Sequence, residues 1–476
     1  MYPINRKIMP FQDNNGFELA SYKPLQRILD SEKVNNLESR LKVRKPSEGE
    51  EQEELELTDK ESLQPSAWQP SMVVAIDGSY QAVPVKNGFP SAEYGYVTVA
   101  SVLILLDKIR ELEKAEFINP VEFRKTEVAG TTESVYAGAN IVVDDEESAK
   151  SSMRKMLFEE FLNEAPFYNK DEPNKETLLA TYEYLLKLKI AKSGESKAPE
   201  CPYDDCGFSE PNNKLSYDFG KYECKCQLKK VLYSTDALRL HELHNPSGSC
   251  GEMYGQIMFT LERLWLINIL RAFERMNLLQ SVKQTAFILD GSLAVYSTSS
   301  WLTKSIQDEL YRLNDVQKKI TGQDLIILGI EKSGTFVNHF EMLDTDEEGI
   351  SGKFPKQNAL LLADEYIKKN IILSESPKPY GQDTYFGRKF LYKTSNGYRV
   401  VCNLATFNAY QRKTETAYPN QFPRLADVMS LLDQIVSNRF QNSVSPLISA
   451  HAEAAIPLNL GKRIFQEIAR EIRKRT

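Results

Sequence analysis

Aspartate twice ends a wholly apolar run in this chain, and each time glycine and serine follow. Met72-Val-Val-Ala-Ile76 leads into Asp77-Gly78-Ser79, and Thr285-Ala-Phe-Ile-Leu289 leads into Asp290-Gly291-Ser292. Such a run reads as a buried strand, and a strand that stops on aspartate sets a carboxylate at the rim of its sheet. Two such strands side by side bring two carboxylates together, where like charges repel and a divalent cation relieves the repulsion. Asp-Gly is also a common turn dipeptide, and either copy alone reads as a turn. The repetition after apolar strands points instead to a metal-dependent enzyme acting on phosphates.

Further residues could complete such a site. Glu262 lies in a long helical pattern just ahead of the second aspartate strand, next to Leu261 and near Trp265. At the edge of an apolar stripe it is either a solvated glutamate, ion-paired with Arg263, or a third metal ligand. Oxygen ligands of this kind suit Mg²⁺ or Mn²⁺, which polarise a phosphodiester and activate water. Lys332, between two glycines in Gly329-Ile-Glu-Lys-Ser-Gly334, is an ordinary loop lysine or a stabiliser of phosphate charge in the transition state. The segment Tyr380-Gly-Gln-Asp-Thr-Tyr-Phe-Gly-Arg-Lys-Phe-Leu-Tyr-Lys393 interleaves charge with aromatic rings. Arg388, Lys389 and Lys393 could track a nucleic-acid backbone while Tyr385 or Tyr392 stacks, and a half-buried hairpin strand would alternate in the same way. His451, one of four histidines, sits among small residues and by itself reads as a structural hydrogen-bonding group.

Four of the six cysteines cluster, as Cys201-Pro-Tyr-Asp-Asp-Cys206 and Cys224-Lys-Cys226. Four thiolates suit a tetrahedral structural zinc with no open position, able to organise a segment too small to fold alone. His241, His244 or Cys250 could replace one ligand, and free buried thiols are the alternative. His241-Glu-Leu-His244 is too short for a zinc-protease motif, which needs two residues between Glu and the second His.

The elements that must position these residues can be read more coarsely. A chain of 476 residues can hold two or three domains, or one large domain with insertions. A net charge of -7 argues against a surface coated in positive charge, yet leaves room for a local basic groove. No apolar run reaches membrane-spanning length and the N-terminus lacks a signal-peptide core, so the expected location is cytoplasmic. Residues 1–45 read as an N-terminal docking segment, with Phe11, Phe17, Leu19 and Tyr22 outside the core, and residues 46–70 as an acidic linker. The core is expected over residues 71–476. Within it, residues 92–106 form one or two buried strands, and residues 144–188 two helices split near Pro166 and Pro173. Residues 189–250 read as a Cys-rich insertion and residues 251–279 as the clearest helix. Residues 325–330 and 397–404 read as strands, and a helix is expected after Pro457. No P-loop motif occurs, so nothing suggests that the chain hydrolyses ATP.

Taken in order, these landmarks resemble the NurA nuclease family. They are Ala75-Ile-Asp-Gly-Ser79, the helix with Glu262, Phe287-Ile-Leu-Asp-Gly-Ser-Leu-Ala294, Gly329-Ile-Glu-Lys-Ser-Gly334, Thr384-Tyr-Phe-Gly-Arg388 and Ala450-His-Ala-Glu-Ala-Ala-Ile-Pro457. The resemblance runs from about residue 71 to the end, interrupted by the cysteine-rich stretch. It implies an α/β fold with an RNase H-like mixed sheet flanked by helices, and a Mn²⁺- or Mg²⁺-dependent nuclease acting on DNA ends or single strands. It also implies a homodimer working with a HerA-type hexameric ATPase, in end resection or in defence against foreign DNA. Asp77, Glu262 and Asp290 would be metal-binding acids, with Glu252 a competitor for the middle place. Tyr385 and His451 would support the site. The alternatives are an inactive RNase H-like DNA-binding or assembly subunit, and a phosphatase acting on small phosphates.

Overall fold

Alternation along the apolar runs decides which way each strand faces. Val73 and Ala75 point to one side of the sheet and Val74 and Ile76 to the other, and all four are buried. A strand covered on both faces needs this continuous apolar character. The computed structural model describes residues 12–13, 16–17, 23–36, 40, 55–64, 67–85, 91–108, 127–144, 146–166, 175–192, 201–203, 206, 218–225, 229–346, 349–436 and 451–455.

The chain divides into two units, Met1–Glu54 and Leu55–Thr476. In the first, Gln12–Asp13 pairs antiparallel with Gly16–Phe17, and the helices Lys23–Leu29 and Glu32–Asn35 follow. Ile28, Leu29 and Val34 expose apolar side chains there. Phe11, Leu19 and Tyr22 of the expected docking segment lie outside the described residues.

The second unit carries strands β1 (Leu57–Asp59), β2 (Met72–Pro84), β3 (Glu93–Leu105) and β4 (Glu127–Ala137). A small hairpin of β5 (Lys221–Glu223) and β6 (Val231–Tyr233) comes next. The remaining strands are β7 (Thr285–Asp290), β8 (Ile326–Glu331), β9 (Asn358–Leu361), β10 (Gly387–Lys393) and β11 (Arg399–Ala405). The main helices are α1 (Ala149–Asn163), α2 (Leu178–Lys192), α3 (Gly251–Arg275), α4 (Leu302–Thr321), α5 (Thr335–Asp344) and α6 (Leu425–Ile435).

Nine strands form one mixed sheet in the order β1-β9-β10-β11-β8-β7-β2-β3-β4. β2, β3 and β4 are an antiparallel meander, whereas β7 lies parallel to β2 and β8 parallel to β7. A meander whose first strand takes a parallel neighbour after a helical crossover is the RNase H-like arrangement expected from sequence. α1 to α4 cover one face and α6 the other, so the sheet is sandwiched between two apolar cores. Eighteen of the twenty-five residues of α3 are buried, which makes it a central helix with no solvent face of any width.

Several boundaries move. The acidic stretch after residue 46 is not linker throughout, because Leu57–Asp59 pairs with β9 as the sheet edge. The supposed insertion ends early: Tyr233, Ala237, Leu238 and Leu240 belong to the main core. The helix expected after Pro457 lies outside the described residues. Among the described residues, no helix is long and apolar enough to cross a membrane.

Candidate active site

The two Asp-Gly segments, alike in sequence, fold differently. β2 does not stop at Asp77; it runs seven residues further, paired with β3 to Pro84. What stops there is its parallel pairing with β7, whose last matched pair is Ile76 and Leu289. Asp77 and Asp290 are therefore next in register on neighbouring strands, at the point where β7 leaves the sheet. Gly291 makes that departure, with φ +77. Gly78 makes no turn. It gives room to α3: a Cβ there would stand 2.6 Å from Met258 Cγ and 2.7 Å from Glu262 Oε1.

Glu262 reaches the aspartates through that gap. Its carboxylate accepts from the Gly78 backbone N–H and from Arg263 Nη1, and both side chains are almost fully buried. Arg263 also donates to the carbonyls of Ala294 (3.1 Å) and Ser292 (2.8 Å), which ties the loop after β7 to α3. Burial pushes the Glu262 carboxyl up to about 8; repulsion from Asp77 and Asp290 adds to this, and Arg263 opposes it. Glu252, by contrast, is exposed in the first turn of α3. Of the two competing glutamates, Glu262 is the one that faces the aspartates.

Asp77 is 2 % exposed. Burial first, then repulsion from Asp290, raises its carboxyl to about 6, while Lys332 and His451 pull it down. His451 Nδ1 lies 3.1 Å from Asp77 Oδ2, and its own side chain is 60 % exposed. Its segment is pinned to the sheet by Thr98 Oγ1, which donates to the Ala454 carbonyl at 2.5 Å. Lys332 Nζ stands 3.2 Å from Asp290 Oδ2, and both are partly exposed. The cluster is thus sealed at Glu262 and open to solvent at Asp290, Lys332 and His451.

The donor chemistry fits a divalent cation. Three carboxylates share the site, burial raises the proton affinities of Asp77 and Glu262, and hard oxygen donors suit Mg²⁺ or Mn²⁺. The three are looser than a closed cage. Among the described residues, only Cys201, Cys206 and Cys224 have three ligand atoms mutually within 4.8 Å.

The expected nucleic-acid contacts are corrected. Arg388 is buried and donates to the carbonyls of Lys413 (2.6 Å), Thr416 (2.6 Å) and Leu362 (3.2 Å), with its guanidinium over Phe422. Lys393 is buried against Asp344 at 2.5 Å and the Phe354 carbonyl at 3.0 Å. Lys389 is buried on Glu331, beside Ser292. None of the three is displayed for a phosphate backbone, because β10 is an inner strand whose charges must be paired internally. The hairpin-strand reading of that segment holds. Tyr385 hydrogen-bonds Tyr296 (2.9 Å) and Tyr380 (3.1 Å), and Lys389 lies 4.9 Å from its ring centroid.

Sequence reasoning missed the Lys389–Glu331–Ser292 cluster at the rim beside Asp290. Its signal was there: β8, like β7, is an apolar run that ends on an acid, and Glu331 follows the residue paired with Asp290.

The cysteines form a second centre. Cys206 and Cys224 sulfurs lie 3.6 Å apart, close to the roughly 3.8 Å edge of a zinc-thiolate tetrahedron with 2.3 Å bonds. Cys224 begins the β5–β6 turn, its N–H bonded to the Lys230 carbonyl. Cys226 lies outside the described residues. The proposed substitutes are not in the group: His241 is buried beside Asp236, and Cys250 Sγ points to the Asn245 carbonyl.

The NurA domain model matches residues 72–456. The chain belongs to the NurA family. The match takes in Asp77, Glu262, Asp290, Lys332, Tyr385 and His451, and it begins at the first residue of β2. The NurA nuclease from Sulfolobus solfataricus is similar in structure, with a TM-score of 0.35 and 10% identity, over 96% of this chain and 97% of that one. A second NurA crystal structure (TM-score 0.22, 12% identity) aligns over 91% of this chain and 94% of its own. A NurA structure with manganese (TM-score 0.20, 12% identity) aligns over 91% and 92%. No curated protein sequence matches the chain.

Proposed function

We propose that this NurA-family chain is a Mn²⁺- or Mg²⁺-dependent deoxyribonuclease acting on DNA ends or single strands. The observation that carries the reading is the convergence of Asp77, Glu262 and Asp290 from two register-matched strands and a buried helix, with Asp290 raising the proton affinity of Asp77 and both aspartates raising that of Glu262. Asp77 and Asp290 would hold the metal, with Glu262 closing the inner side. A divalent ion there supplies Lewis-acid polarisation of a phosphodiester and an activated water. The chain does the rest. Arg263 fixes the Glu262 carboxylate and the 292–294 loop in one arrangement. Lys332 brings positive charge to the open side, where an in-line phosphate would approach. His451, bonded to Asp77 and facing solvent, can pass a proton between the two. Asp77→Ala or Asp290→Ala should abolish Mn²⁺-dependent cleavage of labelled linear DNA while the circular dichroism and melting curve stay close to wild type. Near-wild-type cleavage by either variant overturns the assignment.

Three further readings accompany it, the first from the cysteines, the second from the family and the third from residues 1–45. Cys201, Cys206 and Cys224, with Cys226 as fourth ligand, hold one structural zinc, a reading supported by their clustering. Only trace zinc in protein never exposed to chelator would refute it. The chain works as a homodimer with a HerA-type hexameric ATPase in end resection or defence against foreign DNA. The exposed Ile28, Leu29 and Val34 support a docking role for residues 1–45. Deleting those residues should weaken co-elution with the ATPase and spare basal cleavage; loss of cleavage with the complex intact refutes the docking role.

A further inference from the structure

A cleft of about 780 Å³ opens beside Tyr385. It lies between the end of α2, the start of α4, and the loops that carry residues 379–385 and 406–415. Its charge is unlike that of the whole chain, which is acidic. Lys189, Lys192, Lys304, Arg412 and Lys413 line it. Three of the four acids in the lining are already engaged, Asp364 with Lys368 and Asp383 with Lys378, both lysines outside the cleft, and Asp308 with Lys192, which leaves Glu415 against the lining cations. Lys304 and Lys413 are exposed and have no ion-pair partner among the described residues. A positive surplus therefore remains, focused between low-dielectric walls.

Aromatic rings share the same space. Trp301, with Lys189 Nζ 4.5 Å from its ring centroid, stands on one wall, and Tyr380 and Tyr385 stand on another. Cations that follow a backbone, set between flat rings that accept any base, are what an unpaired strand needs. A duplex would not enter a space of this size, and a small phosphate would need neither the rings nor the length.

The cleft also leads toward the acids. Tyr385 and Lys389 both line it, and Lys389 reaches Glu331 and Ser292 beside Asp290. Lys389 Nζ lies 3.4 Å from Ser292 Oγ, two residues beyond Asp290, so the inner end of the cleft adjoins the carboxylate site.

We infer that this cleft is a binding site for single-stranded nucleic acid, holding the strand beside the Asp77–Asp290 site. The inference rests on the nuclease reading for its direction and on the cleft's own chemistry for its ligand.

The test is a double charge reversal, Lys304→Glu with Lys413→Glu, in the full-length protein. Both residues are exposed, so the fold should survive, and Lys304→Arg with Lys413→Arg serves as the charge-preserving control. Binding of fluorescein-labelled dT12 is measured by anisotropy in chelator across a salt series. Hydrolysis of bis(p-nitrophenyl) phosphate with Mn²⁺ reports the metal site alone. The reversal should weaken dT12 binding at least about tenfold and flatten the salt slope by about 1.4, the value for two phosphate contacts on a single strand. Hydrolysis of the small diester should stay within twofold, and the arginine control should behave as wild type. Unchanged dT12 binding by the reversed variant overturns the cleft, and so does an equal loss in the arginine control. Unchanged dT12 binding with lost co-elution of a protein partner makes the cleft a protein-docking surface and overturns it as well. If the wild type binds dT12 through the cleft yet hydrolyses neither substrate, the nuclease reading fails and the cleft stands.

Discussion

Gly78→Ala is the smallest change that tests how the site is assembled. The added Cβ would lie 2.6 Å from Met258 Cγ and 2.7 Å from Glu262 Oε1, where ordinary contacts begin near 3.4 Å. Something must move by roughly 0.8 Å. Met258 can yield, since its side chain is unbranched and flexible. Glu262 cannot yield cheaply, because Arg263 holds its carboxylate and is itself fixed by two backbone carbonyls. Overpacking of this kind costs about 1–3 kcal/mol. At about 2.1 cal/mol/K per residue, a unit of this length has an unfolding entropy near 0.9 kcal/mol/K, so Tm should fall only about 1–3 °C. Activity should suffer far more, since misplacing a reacting group by about 1 Å costs on the order of a hundredfold. The assay is a melting curve beside Mn²⁺-dependent cleavage of linear DNA, for Gly78→Ala and for Gly78→Ala with Met258→Ala. The second variant clears one clash and leaves the other, so it should not recover activity. Cleavage by Gly78→Ala within twofold of wild type would refute the close approach of α3 to β2 as the device that delivers Glu262.

Two other predictions follow from the same geometry. Asp77 sits at about 6, above its ordinary 3.8, so the metal-free fold favours its protonated form and loses that stabilisation as pH rises from about 4 to 6. A metal needs the ionised form, so Mn²⁺ affinity measured by calorimetry should rise about tenfold between pH 5 and pH 7 from Asp77 alone, and Glu262, at about 8, should extend the rise; a flat profile contradicts the coupling. Lys393→Met should destabilise the protein by up to about 3 kcal/mol by removing the nearer of two cations on buried Asp344, with Arg399 Nη1 left at 3.4 Å, and adding Asp344→Leu should restore part of it in denaturant titrations. Loss of DNA binding without loss of stability would instead return Lys393 to a surface role.

Much of the catalytic layout was legible because it is written in local pattern. The runs before Asp77 and Asp290 are apolar over five and four residues, as a strand buried on both faces requires, and α3 carries more apolar positions than one stripe could use. Local pattern does not report where pairing ends. Asp77 and Asp290 look alike in sequence, yet one sits mid-strand and the other at a strand end, because the parallel partner leaves at Gly291 while the antiparallel partner continues to Pro84.

Charge is where sequence reasoning fails most plainly. Arg388, Lys389 and Lys393 alternate with aromatic residues as a surface strand's would, and nothing local says that β10 will be covered by β9 and β11 and flanked on both faces. Their partners, Asp344, Glu331 and the carbonyls of residues 362, 413 and 416, lie 25 to 58 residues away. The cleft beside Tyr385 draws its cations from α2, α4 and the 406–415 loop, which are remote in sequence. By itself the sequence determined the family, the strand-borne aspartates and the cysteine cluster, because spacing along the chain carries those. The tertiary structure alone decided that Glu262 passes over Gly78 to meet them, which lysines are spent internally and which line a cleft, because burial and pairing are properties of the assembled sheet.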